Sequence, residues 1–80
     1  MAKSVYYLGL IKMNQKLLFE SSSKFIEALL LSKLDVTYFE NVYTLLAINF
    51  YNDDSNYDEK LKDQKEITYN IFIIYKKKLV

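Results

Sequence analysis

The sequence predicts an α+β fold: a small, four-stranded, mostly antiparallel sheet in the order β-β-α-β-β, with one helix packed on a face. Three observations carry this expectation. Residues 4–13 and 67–75 are rich in β-branched and aromatic side chains and fit a period of two, the spacing of a strand. Residues 43–51 alternate in the same way. Phe25, Ile26, Leu29, Leu30 and Leu34 instead repeat at spacings of three and four, which marks one amphipathic helix.

The first strand is expected over Ser4–Met13, with Val5, Tyr7, Gly9, Ile11 and Met13 on one face and Tyr6, Leu8 and Leu10 on the other. Asn14-Gln15 then allows a tight turn into a second strand at Lys16–Glu20, although the favoured Asn-Gly pair is missing. Ser21, Ser22 and Ser23 are candidate N-caps for the helix, because a serine oxygen accepts from the free N–H groups of a first turn. Residues 36–42 read equally well as helix or strand. Tyr43–Tyr51 is the expected third strand, followed by a long charged loop at 52–65. In the fourth strand Ile67, Tyr69, Ile71, Ile73 and Tyr75 share a face, and Lys76, Lys77 and Lys78 end it with charge, which keeps a strand end from pairing with other chains. The alternative is an all-α bundle with helices at 4–20, 22–34, 36–52 and 55–78, capped by Asp35 and Ser55.

Eighty residues make one small domain, which buries only about 60–65% of the surface its unfolded chain exposes. With no Cys and no His, neither disulfides nor the usual zinc ligands can staple it. The same absences remove Ser-His-Asp and Cys-His nucleophile systems, and since every basic residue is Lys there is no arginine finger. A single glycine, Gly9, excludes the dinucleotide fingerprint and the P-loop, each of which needs several. No spacing picks out an acid–base pair, so no enzyme, cofactor or metal site is expected. The apolar share of 51% against 26% charged is that of a chain that folds. A net charge of +1 provides no field toward nucleic acid, so no direct nucleic-acid binding is expected.

The longest uncharged stretch, Asn41–Asn52, is twelve residues, too short to span a bilayer. The apolar run Val5–Ile11 lacks a small-residue cleavage site, so no signal peptide is expected; Ala2 excludes myristoylation, and the expected location is the cytoplasm. Phe, Tyr, Met, Ile, Asn and Lys, whose codons are AT-rich, supply nearly half the chain, as in low-GC bacteria, their phages and other mobile elements.

The candidate site is the charged loop. Asp53, Asp54, Asp58 and Glu59 form an acidic cluster with Tyr57 among them as a rigid anchor, the composition of a partner-binding surface that mimics phosphates in a basic cleft. A calcium loop starting at Asp54 fails, since Glu59 stands where glycine is required and Lys65 where the bidentate glutamate belongs. The plain alternative is a solvated loop. Eight tyrosines suit an interface, yet Tyr69 and Tyr75 lie among isoleucines as core or sheet-face residues would. Tyr6, Leu8, Leu10, Phe72 and Ile74 would leave an apolar patch on the uncovered sheet face, which homodimerisation through that face or an edge would cover.

Residues 4–34, Ser-Val-Tyr-Tyr-Leu-Gly-Leu-Ile-Lys-Met-Asn-Gln-Lys-Leu-Leu-Phe-Glu-Ser with a helix beginning Ser-Lys-Phe-Ile-Glu, resemble the opening hairpin and helix of longin-type trafficking domains. That resemblance implies an adaptor subunit of a larger complex. The residues themselves point first to a non-enzymatic protein-binding module, encoded by a phage or mobile element. It would block a host nucleic-acid-processing or defence enzyme by steric and electrostatic means, in the manner of an anti-CRISPR protein.

Overall fold

Four helices and no strand make up the described residues: α1 (Ala2–Asn14), α2 (Leu18–Leu31), α3 (Val36–Tyr51) and α4 (Glu59–Leu79). The computed structural model describes residues 1–33, 36–52 and 59–79, the side chains of 36–39, 78 and 79 excepted. The α+β expectation is therefore overturned in favour of the helical alternative. Each expected strand is a helix: 4–13 lies in α1, 18–20 opens α2, 43–51 lies in α3 and 67–75 lies in α4. The ambiguous 36–42 is helical. The longin resemblance falls with the hairpin it required, and dimerisation through a sheet has no sheet to use.

The physical reason lies in segments that are apolar at almost every position. Such a run satisfies a period of two and a period of 3.6 together, and packing decides between them. In α4 the buried residues are Leu61, Gln64, Thr68, Ile71 and Tyr75, spaced three, four, three, four, which is the seam of a helix. Ile67, Tyr69 and Ile73, which a strand would have placed beside Ile71 and Tyr75, are exposed. The chain also has no Pro, and its one Gly sits inside α1 rather than at a turn, so the residues that build hairpins are lacking.

Helix α2 begins without the expected serine cap, and Asp35 and Ser55, the caps of the helical alternative, lie outside the described residues. Ser21 and Ser22 lie within α2 and are buried, and the residue ahead of that helix is Leu17, which makes no side-chain cap. Helix α1 closes with Lys16 N–H donating to the Met13 carbonyl at 3.0 Å and Leu17 N–H to the Lys12 carbonyl at 3.0 Å. That pair of bonds is a Schellman motif, and its pivot Lys16 takes the left-handed φ of 61° that usually selects glycine. Lys33, at φ 57°, is likewise left-handed after α2 and donates its N–H to the Leu30 carbonyl at 3.2 Å.

Helix α2 is the hub, packed on α1, α3 and α4, and α3 also touches α4. Phe25, Leu29, Val42, Leu46, Ile71 and Tyr75 form the core, flanked by Tyr6, Leu10, Met13 and Phe72. Gly9 lets α1 approach closely: the Ser21 hydroxyl donates to the Gly9 carbonyl at 2.9 Å, and the Phe25 ring fills the space a Gly9 side chain would take. Asn49 of α3 donates through Nδ2 to Ser21 Oγ at 3.0 Å and Ser22 Oγ at 3.2 Å, so one buried polar chain ties three helices together. The ion pairs Lys12–Glu20, Lys24–Glu27 and Lys62–Glu59, each 3.6 Å, lie at the surface and contribute at most about 1 kcal/mol apiece.

Candidate functional site

Helices α2 and α4 run parallel, because Gln64 early in α4 meets the start of α2 while Ile71 and Tyr75 further along join Phe25 and Leu29 in the core. The Gln64 amide fixes this register: Nε2 donates to the Phe19 carbonyl at 3.0 Å and to Ser23 Oγ at 2.8 Å. The Lys60 ammonium sits 5.3 Å from the Phe19 ring centroid and adds a cation–π contact at the same level. Gln64 Oε1 and Thr68 Oγ1 are buried without a protein partner.

Outside this seam the two helices leave a groove of about 410 Å³, walled by Phe19, Ser23 and Ile26 from α2 and by Asp63, Gln64 and Ile67 from α4. The pattern continues along both helices. Phe19, Ser23, Ile26 and Leu30 are spaced four, three, four, and so are Asp63, Ile67, Asn70 and Ile74. Large apolar residues on these stripes stay in water: Phe19 is 37% exposed, Leu30 59%, Ile67 47% and Ile74 52%. Burying side chains of this size is worth about 1.5–3 kcal/mol each when complete, so the strip is costly to leave open.

Charge frames the strip. Glu59, Asp63 and Glu66 fall at spacings of four and three along one edge of α4, and Lys76 and Lys77 occupy its last turn. Acids at the start and bases at the end of a helix both oppose its dipole favourably. The lysine triplet expected to end a strand therefore ends a helix instead, with the Lys76 ammonium 5.3 Å from the Phe72 ring centroid.

Of the residues expected to bind a partner, Asp53, Asp54, Tyr57 and Asp58 lie outside the described residues. Glu59 is the first residue of α4, exposed, with its carboxylate 3.6 Å from the Lys62 ammonium. The expected charged loop at 52–65 is helical from Glu59 onward. The tyrosines split: Tyr75 is core, whereas Tyr69 is exposed. Sequence reasoning missed the groove because it placed Phe19 and Ile67 on strands. The four-three spacing of Asp63, Ile67, Asn70 and Ile74 was the signal that could have found it.

Two other surfaces are notable. Tyr7, Leu8 and Ile11 expose an apolar face on the outside of α1. A cleft of about 660 Å³ opens between the ends of α1 and α3, lined by Asn14, Lys16, Asn49 and Asn52 among others. Among the described residues no three acidic side chains converge as a metal site would need, and no helix is long and apolar enough to cross a membrane. The chain matches no known protein family, and neither a curated protein nor a solved structure matches it.

Proposed function

We propose that this chain is a non-enzymatic protein-binding module that receives an amphipathic helix in the groove between α2 and α4. The observation that carries the reading is the groove walled by Phe19, Ile26 and Ile67 between two helices held in register by Gln64, with Leu30 and Ile74 exposed further along the same stripes. An amphipathic helix recognises such a groove through apolar anchors at i, i+3, i+4 and i+7, the spacing that both walls present. The test is affinity capture from the native or host cell with the tagged full chain, beside an Ile67→Asp/Ile74→Asp variant. Proteins retained by the wild type and lost from the variant support the groove; equal retention by both overturns it.

The acidic edge of α4 favours a second, more specific reading. Glu59, Asp63 and Glu66 extend the acidic run of Asp53, Asp54 and Asp58 onto an exposed helix face. Such a run suits a phage- or mobile-element-encoded inhibitor that presents carboxylates to the basic channel of a nucleic-acid-processing or defence enzyme. Retention of such an enzyme at low salt, lost at high salt and lost on reversing the charges of Asp53, Asp54, Asp58 and Glu59, supports this reading. Salt-resistant retention of a fixed set of subunits supports an adaptor role instead.

A further inference from the structure

The outer stripe of α4 is complementary to its own reverse, with an acid at one end, a base at the other and isoleucines between. From its start to its end it runs Asp63, Ile67, Asn70, Ile74, Lys77, and all five residues are exposed. Laid antiparallel against itself with Asn70 at the centre, the stripe brings Asp63 level with Lys77 and Asn70 level with its own copy, and sets Ile67 within one residue, about 1.5 Å, of level with Ile74. We propose that the groove between α2 and α4 is closed by α4 of a second copy of this chain, related by a two-fold axis near Asn70. This inference rests on reading the groove as a docking site and names its occupant.

Charge decides the direction. A parallel pairing would set Asp63 against Asp63 and Lys77 against Lys77, whereas the antiparallel one sets an acid against a base at both ends. It also places the acidic first turns of each α4 beside the basic last turn of the other, so the helix dipoles oppose favourably. At the axis the two Asn70 amides each carry donors and an acceptor, and satisfy one another. Phe19 and Ile26 of α2 wall the same groove, and Phe19 loses its exposure together with Ile67 and Ile74.

The stripe from Asp63 to Lys77 covers about 21 Å at 1.5 Å per residue, close to four turns. The helix is already held in place by its inner seam of Leu61, Ile71 and Tyr75, so pairing does not have to order it first. A two-fold contact uses the same patch on both copies and therefore closes at a dimer rather than growing into a filament.

The test is sedimentation of the full chain over a wide concentration range, with Asp63→Lys, Lys77→Asp and the double variant. The wild type dimerises. Each single reversal puts like charges level at both ends of the stripe and raises the dimer Kd about tenfold. Mixing the two single variants restores association as a heterodimer, and the double variant self-associates like the wild type. Both positions are exposed, so far-UV circular dichroism stays unchanged. A wild-type monomer at every concentration, or a dimer indifferent to the charge reversals, overturns the proposal. If that monomer still captures proteins that the Ile67→Asp/Ile74→Asp variant loses, the groove reading stands and only its occupant is wrong.

Discussion

A methyl group on Gly9 would stand 2.5 Å from Cε1 and 2.6 Å from Cδ1 of Phe25, well inside van der Waals contact. The single glycine of the chain is thus a packing residue: it opens a slot in α1 for the largest fully buried side chain of α2. Gly9→Ala gains about 1 kcal/mol of helix propensity and loses about 1–3 kcal/mol to overpacking against the fully buried Phe25 ring. The expected net is destabilisation of about 1 kcal/mol in urea unfolding. Combining it with Phe25→Leu should cost less than the two single changes added together. A Gly9→Ala protein more stable than wild type would show that the slot is not needed.

Asn49 should be more sensitive than its place near the end of α3 suggests. Asn49→Ala removes both donations to Ser21 and Ser22 and leaves a small void, at an expected cost of about 2–3 kcal/mol. Asn49→Asp should be worse, since it replaces the donating amide by a buried carboxylate facing hydroxyl oxygens. Thermal unfolding of the two variants checks the order; an Asp variant as stable as Ala would refute the geometry of this cluster.

Lys16 is the position where a glycine should help. Its left-handed φ of 61° costs an L-residue roughly 1 kcal/mol, part of which a glycine returns to the unfolded chain as entropy. Lys16→Gly is expected to stabilise by about 0.5 kcal/mol and to raise Tm by roughly 2–4 °C. A lowered Tm would mean that Lys16 contributes more through its side chain than it loses through its backbone.

Gln64 separates polar anchoring from packing. Gln64→Met keeps the volume, removes the buried Oε1 that lacks a partner, and breaks the bonds to the Phe19 carbonyl and Ser23. Gln64→Ala breaks the same bonds and leaves a void as well, so Met should be the milder change by about 1 kcal/mol or more. Hydrogen exchange then reports where the effect falls: the Met variant should lose protection first in residues 59–68, where Gln64 holds α4 to α2. Uniform loss along all four helices would count against a local anchor.

Composition excluded whole classes of chemistry before any geometry was known. A chain without His, Cys or Arg, and with one glycine, cannot assemble a His-dependent triad, a thiolate site, an arginine finger or a P-loop, whatever its fold. The amphipathic helix around Phe25 and Leu29 was equally legible, because Lys24 and Glu27 break the apolar run at helical intervals. That part of the reading survived, although the helix begins at Leu18, ahead of the serines expected to cap it.

Tertiary packing decided the remaining segments. In 4–13, 43–51 and 67–75 apolar residues sit at neighbouring positions, so no local period is enforced, and the choice rests on which side chains find a surface to bury against. Gly9 beside Phe25, Asn49 beside Ser21, and Gln64 beside Ser23 are pairings far apart in the chain that a helix can make at one register only. The groove has the same origin. Phe19 and Ile67 become neighbours because Gln64 locks α4 alongside α2; the four-three spacing within each helix marks an exposed stripe, but which two stripes meet is set by that long-range contact.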